Sequence, residues 1–310
     1  IESGEKSRLY FFTGLANYNK NNYSKTRYLI EKSLNLGHID TLEGHRYFYL
    51  ALSHKKAGNY SQSAELFMKS TRYFEDSKNY RGKIGVLINL SNVFAKTKQY
   101  PNALKYLNEA LNLAEKHNTP NINRNIYNGM GNVFMEMADY NMALDQFNAA
   151  YNAAKKQNNL KGQFYTLINI SVVKRKIGDY HESLGHLQEA LLMLDSLNNI
   201  EFKGNIFYEL GDFFSELKNK KEAEFYLKQA KEIADSTNNL PDIKKIYKSY
   251  QVLYENIGNY SKSLAYYKLH EQLKDELISR ENTLKVTQLN SEFKLDRKER
   301  ELKLLEKQKE

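Results

Sequence analysis

"GDYHESLGHLQEA", residues 178–190, admits two readings. Two histidines and a glutamate on one helix invite a metal-site assignment, with His181, Glu182 and His186 as candidates. Self-similarity along the chain decides against it. The stretches "GNYSQSAELFMKS" (58–70), "KQYPNALKYLNEA" (98–110), "ADYNMALDQFNAA" (138–150), "KNKKEAEFYLKQA" (218–230) and "GNYSKSLAYYKLH" (258–270) stack on it in one frame. Tyr60, Tyr100, Tyr140, Tyr180 and Tyr260 stand at intervals of forty residues or twice forty, and Lys220 is the exception. Three residues after each turn position comes a small residue, in Ser63, Ala103, Ala143, Ser183, Ala223 and Ser263. Seven further on comes another, in Ser70, Ala110, Ala150, Ala190 and Ala230, with His270 departing. Between them sits an apolar or aromatic residue: Phe67, Leu107, Phe147, Leu187, Leu227 and Tyr267. Residues five apart on a helix lie about 140° apart around its axis, whereas zincin histidines four apart share a face. His181 and His186 therefore read as ordinary repeat surface.

A second helical pattern precedes each turn. A small residue recurs nine positions before it, in Gly14, Ala51, Ser91, Gly131, Ser171 and Gly211, with Gln251 departing. An aromatic follows three later in Phe94, Phe134, Phe214 and Tyr254. An earlier, less regular copy, "NNYSKTRYLIEKSL", starts at residue 21 and places Tyr23 at the turn. Each unit thus reads as two amphipathic helices joined by a tight turn, with small residues where the backbones approach and an aromatic filling the gap beside them.

Composition agrees with an all-helical chain. Of 310 residues 41% are hydrophobic, enough for a substantial core, and only 3 are proline. The absence of cysteine excludes disulfides, thiolate metal sites and cysteine nucleophiles. The formal charge of +9 comes from basic residues interleaved with acidic ones along the chain, so no nucleic-acid partner is expected. Neither a signal peptide nor an apolar run of membrane-spanning length is read in these residues. A start at Ile1 reads as an excised piece of a longer protein, so an anchor in sequence not present here stays open.

These residues resemble the tetratricopeptide repeat family, whose order of aromatic, Leu, Gly, Tyr, then Tyr, Ala, aromatic and Ala they match. Seven copies span residues 7–279, within a repeat region of 1–279 whose turn positions are 23, 60, 100, 140, 180, 220 and 260. The resemblance implies a right-handed α-solenoid of about seven forty-residue helix pairs followed by a long C-terminal helix. A period longer than the family's common one means longer helices or looser linkers, such as "KKQNNLKGQ" (155–163) and "DSLNNIEFKGN" (195–205).

No phosphate-binding glycine loop, nucleophile elbow or calcium loop occurs, so neither catalysis nor a cofactor is expected. Repeat arrays of this kind present a concave groove lined by their first helices. Helical spacing puts Gly85, Ile88, Asn89 and Asn92 on that face in the third unit, and Asn125, Asn128, Gly129 and Asn132 in the fourth. The fifth contributes Tyr165, Ile168, Asn169 and Val172, and the sixth Asn205, Tyr208, Glu209 and Asp212. An asparagine ladder satisfies the backbone of an extended peptide, because each amide both donates and accepts. The same residues equally serve local helix packing or face water. Lys55, Lys56, Lys96, Arg175 and Lys176 lie toward the other end of these helices, placed to meet acidic groups on a peptide or protein ligand. The carboxylate clamp of chaperone-tail-binding relatives is not expected, since Ile88 and Asn128 stand where its first lysine belongs. In the first unit the face is Arg8, Phe11, Phe12 and Leu15, an aromatic start that reads as missing upstream sequence, an interface or packing inside the first helix pair.

Residues 280–310 read as a charged helical linker, a possible coiled coil, and Leu273, Leu277, Leu284, Leu289, Phe293, Leu295, Leu302 and Leu305 give a broken seam. With Leu273, Lys274 and Asp275 and the run from Glu301 to Lys307, this tail resembles that of bacterial tetratricopeptide sensor proteins of two-component type. That resemblance implies a sensory input region outside the cytoplasm, pairing through the C-terminal helix, with a membrane span and output module beyond it. A cytoplasmic peptide-pheromone regulator and a structural adaptor are the alternatives.

Overall fold

A computed structural model describes residues 3–36, 41–279 and 283, and every regular element among them is helical. In chain order these are α1 (Ser3–Asn19), α2 (Tyr23–Asn35), α3 (Glu43–Lys56), α4 (Tyr60–Asp76), α5 (Tyr80–Lys96) and α6 (Tyr100–Lys116). A 3-10 turn at Pro120–Ile122 leads into α7 (Asn123–Glu136), then come α8 (Tyr140–Lys156), α9 (Leu160–Lys176), α10 (Tyr180–Leu192) and the short α11 (Leu194–Leu197). The series closes with α12 (Ile200–Glu216), α13 (Lys220–Ser236), α14 (Leu240–Asn256) and α15 (260–279). The described chain divides into two compact units, one running to Val133 and the other starting at Phe134.

The forty-residue period resolves into two near-equal halves. Helices of 17 residues recur in α4, α5, α6, α8, α9, α12, α13 and α14, each about 25 Å long. The connection from α8 to α9 is residues 157–159, as short as the turn inside a pair, so the long period is spent on helix and not on loose linkers. The second suspected linker is mostly helical too, with α11 and the start of α12 inside it.

The turns share one backbone solution. Two residues before each second helix the chain enters the left-handed region, at Asn21, Gly58, Lys98, Ala138, Gly178, Lys218 and Gly258. The connections between pairs do the same at Lys78, Asn118, Asn158, Asn198 and Asn238. Glycine and asparagine tolerate that conformation best, which explains part of the chain's asparagine content. Another part caps helices: the side chains of Asn22, Asn79, Asp139, Asn159, Asp179 and Asn239 each accept a hydrogen bond from the N–H three residues on.

Within a pair the register is twelve residues near the turn. Thr26 donates to the Gly14 carbonyl at 3.2 Å, Ser63 to Ala51 at 2.8 Å, Ser183 to Ser171 at 2.9 Å and Ser263 to Gln251 at 3.2 Å. Aromatic pairs obey the same spacing: Phe94 stacks on Tyr106 at 5.3 Å, Phe214 on Tyr226 at 5.9 Å and Tyr254 on Tyr266 at 5.5 Å. At the open end the partners are 26 residues apart, as Ser33 donates to the Ser7 carbonyl at 2.6 Å and Ser70 to that of Gly44 at 2.7 Å.

The core of the first unit gathers Phe11, Ile30, Leu50, Phe67, Phe74 and Leu90. Phe74 of α4 wedges between two first helices, its ring lying where a Cβ on Gly44 or Gly82 would come within 2.9 Å. Arg46 is fully buried at the joint of the first two pairs, its Nε donating to Ser33 Oγ at 2.8 Å and its guanidinium 5.7 Å from the Phe11 ring centroid. The aromatic start of α1 is therefore split: Phe11 packs inward, while Phe12 is 54% exposed. In the second unit Phe164, Leu187, Phe202, Ile206 and Phe213 form one cluster and Leu227, Ile246, Leu253 and Tyr254 another. Leu273 of α15 is buried against the latter and Leu277 packs on it, so these two seam residues serve the core, whereas the linker 280–310 apart from residue 283 lies outside the described residues.

One substitution type has opposite signs at two glycines. A Cβ on Gly211 would lie 2.7 Å from the Leu227 side chain and 3.0 Å from its backbone nitrogen, so Gly211→Ala is expected to cost about 1–3 kcal/mol. A Cβ on Gly85 meets nothing within 4 Å, so Gly85→Ala is expected to stabilise by up to about 1 kcal/mol. Urea unfolding of both variants measures the pair; a loss at Gly85 or a gain at Gly211 contradicts the packing described.

Candidate functional site

Second helices spend their small and apolar residues on the core, which leaves one side of the first helices outside that packing. In the first unit that side is formed by α3 and α5, which contact each other directly. On α3, His45, Phe48, Leu52 and Lys55 fall on one face; on α5, Gly82, Gly85, Asn89, Asn92 and Lys96 do.

Two features lie along this face. At its N-terminal end a cavity of about 320 Å³ is lined by His45, Phe48, Phe74, Asn79, Arg81, Gly82 and Gly85. The His45 ring stands edge-on to Phe74 at 4.9 Å, and burial lowers the imidazole below its ordinary pKa. Farther along, Lys55 Nζ donates to Asn89 Oδ1 at 2.7 Å, while Asn89 Nδ2 donates to the Gly85 carbonyl at 2.9 Å. Burial, with the like charge of Lys56 adding to it, holds the Lys55 ammonium down to about 8. Asn92 and Lys96 are exposed.

The remaining predicted residues divide between bound and open. On α7, Asn125 and Asn132 are exposed, Asn125 accepting from the neighbouring Arg124, and Asn128 is half-buried with partners of its own. In the second unit, the Tyr165 hydroxyl meets Asn205, and Asn169 is half-buried and already partnered. Lys176 is exposed, but Arg175 is buried: its Nη2 lies 3.0 Å from Asp212 Oδ2 and its Nε 3.5 Å from Glu216 Oε2. Ser249 of α14 donates to the other Asp212 oxygen at 2.6 Å, and Asn256 donates to the Ser215 carbonyl at 3.1 Å. The expectation that Arg175 awaits an acidic ligand thus meets a guanidinium already drawn into internal pairs. Sequence spacing placed it on the right helix but could not show the acids of α12 opposite it.

The same network crowds Glu209. Burial raises its carboxyl to about 7, with Arg175 and Lys245 pulling it down and Asp212 and Glu216 pushing it up. Burial likewise pushes the Tyr208 hydroxyl well above its ordinary value, beside the charges of Asp212 and Glu209. His186, from the opening histidine pair, lies 3.9 Å from Glu189 instead of beside His181, and no cluster of three metal-ligating residues occurs among the described residues.

Charge segregation on the first helices escaped the linear reading of the sequence. Helices α5 and α9 contain no acidic residue, and α3 has only Glu43, which pairs with Arg46 at 3.7 Å. On α12, by contrast, Glu201, Glu209, Asp212 and Glu216 outnumber Lys203. Interleaving along the whole chain hides this, because the second helices supply many of the compensating acids.

Two consequences are measurable. Asn89→Ala leaves the half-buried Lys55 without its acceptor and is expected to cost about 1–2 kcal/mol in denaturant unfolding; an unchanged midpoint contradicts the pairing. Between the 4.5 of an ordinary glutamate and about 7, folded Glu209 holds a proton that the unfolded chain has released, so its contribution makes stability fall as pH rises through that window. Glu209→Gln is expected to remove that part of the slope in melting temperature against pH; an identical slope in the variant contradicts the burial of the acid.

Residues 82–156 match a tetratricopeptide repeat family profile and residues 204–237 match a second. No match is found among curated proteins. Among solved structures, the apo form of RapI is 14% identical and superposes with a TM-score of 0.73 over 88% of this chain and 99% of its own. The apo form of the quorum sensor NprR from B. thuringiensis is 17% identical, with a TM-score of 0.74 over 88% of this chain and 77% of its own. The Rap conjugation gene regulator of the plasmid pLS20, solved with the Phr* peptide, is 19% identical, with a TM-score of 0.65 over 88% of this chain and 74% of its own. At these identities the likeness is one of fold.

Proposed function

We propose that this chain, a tetratricopeptide-repeat protein, is a non-catalytic peptide-binding regulator that takes its ligand on the exposed face of its first helices. The observation that carries the reading is the face of α5, where a cavity opens at the N-terminal end, Asn92 and Lys96 stand exposed farther along, and no acidic residue interrupts the helix. Exposed amides offer a donor and an acceptor to an extended backbone, and a neighbouring cavity supplies the apolar anchor that gives a weak backbone contact its selectivity. The fold shared with the regulator solved with the Phr* peptide, and with the quorum sensor NprR, supports a peptide-responsive role. It favours that role over the input region of a membrane-anchored sensor. Among the described residues no helix is long and apolar enough to cross a membrane.

Binding would bias a regulator by favouring one arrangement of the helix pairs over another, since a ligand shifts an equilibrium only by its differential affinity for the two states. Asn92→Ala and Asn132→Ala are expected to weaken peptide binding about fivefold each, the value of one lost hydrogen bond, with the melting temperature unchanged. Peptides bound equally by both variants and the parent chain would remove the groove from the reading. Light-scattering mass of residues 1–310 beside a version ending at Arg280 tests the competing sensor reading. A monomer in both is expected, whereas a dimer lost on truncation would favour a pairing tail.

A further inference from the structure

We propose that the face of α3 and α5 is a subsite for an acidic peptide, taking an apolar side chain in the cavity beside Gly85 and a carboxylate at Lys55. The inference rests on the peptide-binding reading above and specifies its ligand.

Gly85 is the first ground. It sits inside a 17-residue helix, where glycine costs about 1 kcal/mol relative to alanine, and the fold shows no return for that cost. Gly82, one turn earlier, is packed against the Phe74 ring, but above Gly85 there is open space. What the missing side chain leaves is volume, walled by Phe48 and His45 and floored by Phe74. The cavity has room for one large apolar side chain.

Charge is the second ground. The cations of α3 and α5 are unequal in their commitments. Arg46 is buried with Glu43, and Lys83 is held by Glu75 at 3.1 Å and Glu109 at 3.5 Å. Lys55 has a neutral amide, Asn89, as its hydrogen-bond acceptor, and Arg81, Lys56 and Lys96 are exposed around the same face. A half-buried ammonium beside a second lysine, with a lowered pKa and no carboxylate paired with it among the described residues, is the complement of an incoming acid.

Geometry sets the ligand's spacing. Phe48 and Lys55 are seven residues apart on α3, about 10 Å along its axis. That is about three residues of extended chain at about 3.3 Å each. The ligand is therefore a peptide whose carboxylate lies three positions from a large apolar residue, the carboxylate being an acidic side chain or the peptide's own C-terminus.

A random twelve-residue peptide library displayed against the full chain provides the test. Enriched peptides are synthesised as free acids and as C-terminal amides, and their affinities measured with the parent chain, Lys55→Gln, Gly85→Leu and Asn92→Ala. The expected result is enrichment of an apolar residue and an acid at that spacing, with about tenfold weaker binding to Lys55→Gln. Gly85→Leu, which fills the cavity, is expected to weaken binding about tenfold with no fall in melting temperature. Gly85→Ala, which keeps most of the volume, serves as the control for a fold effect. Equal affinity of acid and amide forms assigns the carboxylate to a side chain, and loss on amidation assigns it to the C-terminus; both support the subsite. Peptides that are weakened by Asn92→Ala but not by Lys55→Gln or Gly85→Leu overturn the subsite and leave the peptide-binding reading standing. No enrichment at all overturns both.

Discussion

The close approach of two helix backbones near each turn is the constraint on which the rest of this structure depends. Residues twelve apart meet there, and where the second is a hydroxyl it bonds the carbonyl of the first, as Ser63 does with Ala51 and Ser183 with Ser171. Small side chains permit that distance at most of these crossings, Gln251 being the departure, so one face of each first helix and one face of each second helix are committed before other packing is decided. Aromatic stacks such as Phe94 on Tyr106 and Phe214 on Tyr226 join residues twelve apart beside that crossing. The hydroxyl bonds add direction to a contact that size alone would leave free to slide.

Commitment of those faces leaves the first helices a face of their own, and the two units use it differently. Along α3 and α5 the face is basic and holds a cavity, with Lys55 resting on the amide of Asn89. Along α9 and α12 the basic side chain is spent internally, as Arg175 binds Asp212 and Glu216 and Ser249 completes the set. A buried guanidinium with acids around it is a poor receptor for a further anion, because the partner charges must first be displaced. A lysine resting on a neutral amide carries no such cost.

Much of the fold was legible because the period is long and repeated. The turn tyrosines, the small residues three and ten positions after them and those nine before place every helix pair, and the first helices fall where the spacing puts them. Asparagine was harder to apportion. Asn79, Asn159 and Asn239 cap helices and Asn118, Asn158 and Asn238 take the left-handed turn positions, whereas Asn92, Asn125 and Asn132 stand exposed on first helices. All carry the same side chain, and only its distance from a helix start separates the roles. Longer helices, rather than looser linkers, account for the period because left-handed residues such as Asn158 and Asn198 close a connection in very few residues.

By itself the sequence determined that this chain is a series of α-helical pairs whose pattern resembles the tetratricopeptide repeat, since periodicity and size at a crossing are local properties repeated often enough to be read. It also determined which residues share one side of each first helix, because helical spacing is a matter of counting, but not which of them stay open: Ile168 and Arg175 are buried. Only the tertiary structure decided what those residues do there. Whether Lys55 meets an amide and Arg175 meets carboxylates depends on the helix packed alongside, about forty residues away, and on distances of a few ångströms that no spacing rule carries. The cavity beside Gly85 is likewise a product of three helices, defined by Phe48 and Phe74 as much as by the glycine that leaves it open.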